Sequence, residues 1–406
     1  MKILMVSNYL FHMGGVETYM TSLGDRLADL GCDVQYFGMK DKKNVVGNKY
    51  NIYINRIDLQ KKSLKNIFLV FKIIYSLEAK RKIKKLIKLY RPDIVHINNI
   101  NFGLTPSIIY GIKKFNIPII KTVHDAQLVC PAHRLFIEHK MEPCMSCITG
   151  KYNNCLKNKC ISNSRIKSFI ATLESYLYHR LQTYNIIDEY VFPSEFMKNV
   201  HITNGFETSK LTKILNYSRL DFVKSKESPI ENEPYCLYFG RLSKEKGIET
   251  FIKVIKKLPN VKFVFVGKGP LEYLLKNVNN IDFLGFRSGD DLTNIIKNAK
   301  FSVYPSEWYE NSPLSVLESQ ALGTPVIGAN IGGIPELIQN NITGLLFESG
   351  NEVDLYNKIL ELYDNEEKLR LMSENCLTKN KVSNLTDYAN KIMIMYENQF
   401  KKGGTI

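Results

Sequence analysis

Two glutamates separated by seven residues, Glu310 and Glu318, lie within the run Tyr304-Pro305-Ser306-Glu307-Trp308-Tyr309-Glu310-Asn311-Ser312-Pro313-Leu314-Ser315-Val316-Leu317-Glu318. A carboxylate accepts paired hydrogen bonds from vicinal hydroxyls, as on a ribose or a hexose. Between the two glutamates, Ser312 is a good N-cap and Pro313 suits the first helical position, which predicts a helix of about ten residues. Gly323 ends that helix and Pro325 opens the next strand. The free N–H groups at such a helix start favour a phosphate.

A second run, Phe239-Gly240-Arg241-Leu242-Ser243-Lys244-Glu245-Lys246-Gly247, directly follows an apolar strand pattern. Arg241 and Lys246 could clamp a diphosphate, and fixed cations lower a barrier where a leaving diphosphate gains charge. A basic turn by itself is usually solvated surface. Beside the glutamate-bearing helix the anionic reading is the stronger one. Near the start, Gly14 and Gly15 precede a helical pattern. Adjacent glycines let a backbone approach a phosphate, although most such pairs are merely tight turns.

These groups need strands to carry them. Apolar runs at Ile3–Ser7, Val34–Gly38, Ile52–Asn55, Asp93–Ile97, Pro118–Val123 and Glu189–Phe192 alternate with helical patterns. The alternation restarts at Tyr235–Gly240, Phe263–Gly267, Ile281–Leu284, Phe301–Tyr304 and Pro325–Gly328. Alternating strands and helices predict parallel, doubly wound sheets. The fold class is therefore α/β, with two Rossmann-like domains and a ligand cleft between them. The expected divisions are residues 1–223, residues 234–384, and a final segment 385–406 whose helix packs back on the first domain. The polar stretch from Lys224 to Pro234 is the linker.

A chain of 406 residues, 44% hydrophobic and 23% charged, is globular and too long for one ordinary core. The opening Met1-Lys2-Ile3-Leu4-Met5-Val6-Ser7 turns polar too soon for a signal peptide and reads as a strand. A cytoplasmic location is expected. The net charge is +15, and Lys61–Arg91 holds eleven Lys or Arg against one acid, Glu78. That segment fits either a helix resting peripherally on an anionic membrane or a surface helix packed on a sheet. No nucleic-acid motif accompanies the charge, so a nucleic-acid partner is not expected.

Four of the eight cysteines, Cys144, Cys147, Cys155 and Cys160, follow the spacing C-x2-C-x7-C-x4-C. They lie in a stretch, about 128–163, where the α/β pattern breaks down. Four thiolates at such spacing can hold a structural zinc ion, the alternative being reduced cysteines in an insertion. A catalytic zinc is not expected, because four protein ligands leave no open position.

Taken together, G-R-L-x-x-x-K-G from Gly240, the Glu310/Glu318 pair, Gly323-Thr324-Pro325-Val326-Ile327 and Gly332-Gly333-Ile334-Pro335-Glu336 resemble the donor-site signature of the retaining family 4 glycosyltransferases, of the GT-B fold. The resemblance spans nearly the whole chain and extends to members that assemble bacterial polysaccharides. It implies that Arg241 and Lys246 hold the diphosphate of a nucleoside-diphosphate sugar. Glu310 would contact the donor sugar and Glu318 the ribose, with Asn311, Ser312, Pro313 and Leu314 completing the donor site. Backbone around Phe286 and Arg287 would hold the base, uracil being favoured over guanine.

In Thr122-Val123-His124-Asp125 the resemblance places His124 against the donor sugar. The alternative is a histidine that supports the loop. His133 and His139 are structural or acceptor-facing. The reaction implied is front-side transfer with retention, the leaving phosphate taking the acceptor proton. No two aspartates are separated by a single residue, so the Asp-x-Asp metal site of the other main glycosyltransferase fold is missing and no catalytic metal is expected. The acceptor would be a saccharide, lipid-linked if the basic segment meets a membrane. Competing readings are a sugar-nucleotide epimerase on the same fold and a membrane-associated scaffold without activity.

Overall fold

A computed structural model describes residues 1–56, 71–101, 103–220, 234–379 and 382–403. Two six-stranded sheets form its centre, and every strand pair within them is parallel. The first sheet is built from β1 (Lys2–Val6), β2 (Asp33–Phe37), β3 (Ile94–Ile97), β4 (Ile119–Thr122), β7 (Glu189–Phe192) and β8 (Leu211–Lys213). A small antiparallel pair, β5 (Phe136–Ile137) and β6 (Glu142–Pro143), lies in the insertion. The second sheet holds β9 (Tyr235–Phe239), β10 (Lys262–Val266), β11 (Ile281–Gly285), β12 (Phe301–Tyr304), β13 (Val326–Ala329) and β14 (Gly344–Phe347).

Strands such as Ile3-Leu4-Met5-Val6 are apolar at every position because helices cover both faces of a parallel sheet. The sheet orders are β2-β1-β3-β4-β7-β8 and β11-β10-β9-β12-β13-β14. Each order reverses direction once, between β1 and β3 and between β9 and β12. Ligand crevices open at such points, beyond the carboxyl ends of the strands. Both edges carry the residues singled out above.

The expected strand at Ile52–Asn55 is reduced to a single parallel bridge between Met39 and Ile54. Strands β8 and β14 were not foreseen, being short runs without clear alternation. Most of the Lys224–Pro234 linker, and Lys61–Val70 of the basic segment, lie outside the described residues.

Six helices matter for the site: α1 (Gly15–Asp29), α2 (Leu77–Tyr90), α3 (Arg165–Arg180), α4 (Glu195–Thr203), α5 (Leu314–Ala321) and α6 (Leu385–Gly403). The basic helix α2 buries Ala79, Ile83, Leu86, Ile87 and Tyr90 in the first domain's core. Of the two readings of that segment, its described part follows surface packing. Helix α6 lies on the first sheet, with Tyr388, Ala389, Ile392 and Tyr396 packed among Ile3, Met5 and α1. Tyr396 OH and His96 Nδ1 are 2.6 Å apart, and Gln399 Nε2 donates to Glu189 at 2.8 Å. The chain that leaves the second domain thus closes on the first. No described helix is long and apolar enough to cross a membrane.

Candidate active site

A cleft of about 890 Å³ opens between the carboxyl edges of the two sheets. It gathers Gly15, His124, Arg241, Lys246, Phe286, Arg287, Glu310, Ser312, Leu314 and Glu318, with Asn311 and Pro313. Of the donor-site residues inferred from sequence, only Gly14 is not on its wall. Gly15, at the start of α1, faces Leu314 at the start of α5 across the cleft. Two helix N-termini therefore line one space, each offering the positive end of a dipole, and at α1 the Glu17 carboxylate accepts from the backbone N–H groups of Gly14 and Glu17.

Glu310 is the most heavily bonded group there. Its Oε1 accepts from Lys246 Nζ and Trp308 Nε1, from Tyr304 OH at 3.2 Å and from Ser306 Oγ at 3.1 Å. Burial alone would lower the Lys246 pKa, but the Glu310 carboxylate overrides it and raises the value, so Lys246 stays charged. Tyr304 and Trp308 also present their rings to the ammonium, at 5.3 and 5.5 Å. Arg241 is exposed and enters no ion pair among the described residues, which leaves its guanidinium available to an anion.

Glu318 is 3% exposed and pairs with Arg219, whose Nε donates at 2.8 Å. Burial pushes the Glu318 carboxyl up, and Arg219 opposes that shift. Ser312 does not cap α5, as the sequence suggested; Pro313 occupies the cap position and the helix begins at Leu314. The Ser312 hydroxyl is consequently buried without a partner among the described residues, as is Asn216 Oδ1 on the same wall. Buried polar atoms are rarely left so, and both are suited to meet a polar ligand.

His124 lies 2.9 Å by Nε2 from Asn98 Oδ1, and the Tyr19 ring meets it edge-on at 4.7 Å. Burial, with Lys121 and His96 adding to it, holds its pKa well below the usual histidine value, so the ring is neutral at pH 7. Beyond His124 a second pocket of about 150 Å³ is lined by His133 and Arg134 of the insertion, and by Trp308 and Glu310. His124, Glu310, Asn311 and Ser312 line both spaces. His139 stays on the exposed surface.

Other motif residues join the two halves. Asn311 Nδ2 donates to the carbonyls of Val123 at 2.8 Å and His124 at 3.2 Å, while its Oδ1 accepts from Ser194 at 2.7 Å. The Glu336 carboxylate accepts from the backbone N–H groups of Glu195 (2.7 Å) and Phe196 (2.6 Å), which open α4, and from Lys213 Nζ at 2.7 Å. Gly333 keeps this seam close, since a Cβ there would sit 1.8 Å from the Asn311 carbonyl oxygen beside it and 3.0 Å from Ser194 Cβ across the seam.

Sequence reasoning missed Arg219, Asn216 and the Gly267-Lys268-Gly269 turn after β10, all on the cleft wall. Gly267 has φ +141°, and a Cβ there would lie 1.8 Å from the Gly240 carbonyl oxygen. The signal available was a strand followed at once by Gly-Lys-Gly-Pro, the same arrangement that exposed Arg241 after β9.

Cys147 and Cys155 are buried with Tyr152, and Cys160 packs against them. All four cysteines of the cluster are free thiols. Burial pushes the Cys147 thiol up to about 12. Among the described residues no three Cys, His, Asp or Glu side chains are gathered as metal ligands. Cys147 and Cys155 are buried as small side chains, while the half-exposed Cys144 and Cys160 bond Ser146 and Cys155.

A cleft between two doubly wound domains, lined by a glutamate pair, cations and two helix starts, defines a two-domain protein of the GT-B class. The sequence model described as Glycosyltransferase Family 4 matches residues 13–217, and that of Glycosyl transferases group 1 matches residues 221–378. The chain belongs to glycosyltransferase family 4. It is 25% identical over 387 residues to an uncharacterized glycosyltransferase of Methanocaldococcus jannaschii, covering 92% of each chain. It is 32% identical over 206 residues to the Escherichia coli UDP-Gal:alpha-D-GlcNAc-diphosphoundecaprenol alpha-1,3-galactosyltransferase, covering 46% of this chain and 50% of that one. The crystal structure of Anabaena HepE in complex with UDP superposes with a TM-score of 0.69 at 17% identity, over 98% of this chain and 100% of that chain.

Proposed function

We propose that this glycosyltransferase moves a sugar from a UDP-sugar to a hydroxyl of a lipid-linked saccharide, with retention of anomeric configuration, in the assembly of a cell-surface polysaccharide. The observation that carries the reading is the charge layout of the cleft. Glu310 is locked to Lys246, Arg241 enters no ion pair among the described residues, and two helix starts face each other beside them.

The diphosphate lies between Arg241 and the two helix starts, where fixed positive charge stabilises it as the sugar leaves. The reading assigns that neutralisation to protein groups rather than to a metal ion. The uracil lies by Phe286 and Arg287, the ribose on Glu318, and the sugar hydroxyls on Glu310 and Ser312. With its oxygen taken by four donors, Glu310 is a poor nucleophile. Its bonded carboxylate suits holding hydroxyls. A neutral His124 with a depressed pKa is a weak base. With Nε2 donating to Asn98 Oδ1, its Nδ1 can accept a hydrogen bond from a sugar hydroxyl, while the departing phosphate oxygen takes the acceptor's proton and the new glycosidic bond forms on the same face.

The acceptor hydroxyl enters from the smaller pocket lined by His133 and Arg134. A second pocket on the far side of the shared residues favours a transferase over an epimerase, which needs no acceptor. UDP as donor nucleotide is supported by the Escherichia coli relative, a UDP-Gal galactosyltransferase, and by the UDP complex of HepE. That relative's diphosphoundecaprenol acceptor supports a lipid-linked saccharide here.

Calorimetry with UDP and with GDP, on the intact protein and on Arg241→Ala, tests the assignment. UDP should bind more tightly than GDP, and the variant should lose roughly 1.5–3 kcal/mol of that binding. Preference for GDP would replace the donor class. UDP binding that Arg241→Ala leaves untouched would remove the proposed diphosphate site.

A further inference from the structure

Helix α3, in the insertion that carries the cysteines, is amphipathic in the opposite sense to a normal surface helix. Its inner face holds Ser168, Ala171, Thr172, Glu174 and Tyr178, all buried. Its outer face holds Ile166, Phe169, Leu173 and Tyr176, which are 74%, 53%, 46% and 37% exposed. Spacings of three, four and three residues put these side chains on one stripe along the helix. The helix is well formed, with the Ser164 hydroxyl accepting from Lys167 N at its start. Large apolar side chains aligned toward solvent mark an interaction surface, whereas single exposed ones do not.

The rim of the stripe indicates what covers it. Arg165, Lys167 and Arg180 are exposed along the helix, and Lys151 and Lys157 in the segment that precedes it. From Lys151 to Leu181 the sole acid is Glu174, and it is buried. Apolar side chains edged by cations, with no exposed acid among them, complement an anionic bilayer. Two copies meeting through this face would oppose their own basic rims, and like charges disfavour that contact. The basic helix α2, the other membrane candidate, turns Ala79, Ile83, Leu86, Ile87 and Tyr90 into the core and leaves only Leu77 and Leu89 exposed, at its two ends.

We propose that α3 docks the protein on an anionic membrane surface, its apolar stripe among the acyl chains and its cations on the headgroups. The docked face is tied to the site. His179 Nε2 lies 2.7 Å from the Leu128 carbonyl oxygen, in the segment leading from His124 to the smaller pocket. Docking therefore presents that pocket to an acceptor carried in the same membrane. This orientation, unlike the docking itself, rests on the acceptor reading above.

The test is co-sedimentation of the full chain at low salt with phosphatidylglycerol-containing vesicles and with pure phosphatidylcholine vesicles. Wild type and Phe169→Ser/Leu173→Ser are compared, and UDP binding by calorimetry is measured on both. Neither side chain touches the cleft, so the variant should bind UDP as wild type does. Its partition onto anionic vesicles should fall by at least roughly tenfold, as the loss of two inserted side chains requires. With phosphatidylcholine vesicles, wild type should stay in the supernatant. Equal sedimentation of both proteins, or none by wild type, overturns the docking whatever UDP does. A wild-type dimer in analytical ultracentrifugation that the variant abolishes also overturns it, because the stripe would then belong to a second copy. Vesicle binding in a protein that fails to bind UDP would overturn the donor site alone.

Discussion

At the scale of single residues, the site rests on two carboxylates buried beside cations, and each is costly to strip of its partner. Glu318 shows this most directly. Arg219 comes from the segment after β8 and reaches Glu318 Oε1 at 2.6 Å with Nη2, from the opposite wall of the cleft. Arg219→Ala should leave a buried carboxylate uncompensated, lower stability by about 1–3 kcal/mol, and raise the KM for donor as the ribose contact loses its fixed geometry. Arg219→Lys should recover part of both. A donor KM unchanged in the alanine variant would mean that the pair has no part in binding. Glu310, Glu318, Arg241 and Lys246 were legible in sequence because they stand at set distances inside runs with strand and helix signals. Arg219 stands in a polar stretch with no pattern around it. Only the folded distance to Glu318 reveals it.

Among elements, the parallel strands were the easiest to foresee, because burial on both faces makes them unbroken apolar runs. The shorter β8 and β14 offer too few residues for that signal, and the bridge at Ile54 shows an apolar run that found too little partner strand. Helix ends proved less legible: Ser312 has the chemistry of a cap, yet Pro313 holds the position. Helix α3 carries a testable oddity. Burial pushes the Glu174 carboxyl up to about 8. Its folded value lies above its unfolded one, so the folded chain retains a proton that the unfolded chain releases. Stability is then full below about pH 4.5 and declines as pH rises to about 8, by at most roughly 1.4 kcal/mol per pH unit from this group. Glu174→Gln should flatten that decline in urea melts recorded across the interval. Identical slopes in both proteins would show that the carboxyl is not protonated by the fold.

Across the whole molecule, the motif after β13 has a role that its sequence does not announce. Gly332-Gly333-Ile334-Pro335-Glu336 reads as part of a donor signature, but Glu336 leaves the cleft and caps α4 of the other domain while meeting Lys213. Asn311 bonds the His124 loop from the same side. Both contacts exist only when the domains face each other, and they hold His124 and Glu310 at one reaction centre. Charge-assisted hydrogen bonds of this kind are worth about 1.5–3 kcal/mol each, enough to shift an open–closed balance by more than tenfold. Glu336→Ala should therefore lower kcat by roughly tenfold or more while UDP, held mainly by the second domain, still binds. Small-angle scattering should record a larger radius of gyration for the variant. If kcat falls with no change in scattering, Glu336 acts locally on α4; if neither changes, the seam is not what brings the two halves of the site together. A loss of UDP affinity matching the loss of kcat would instead place Glu336 with the donor, as its motif alone suggests.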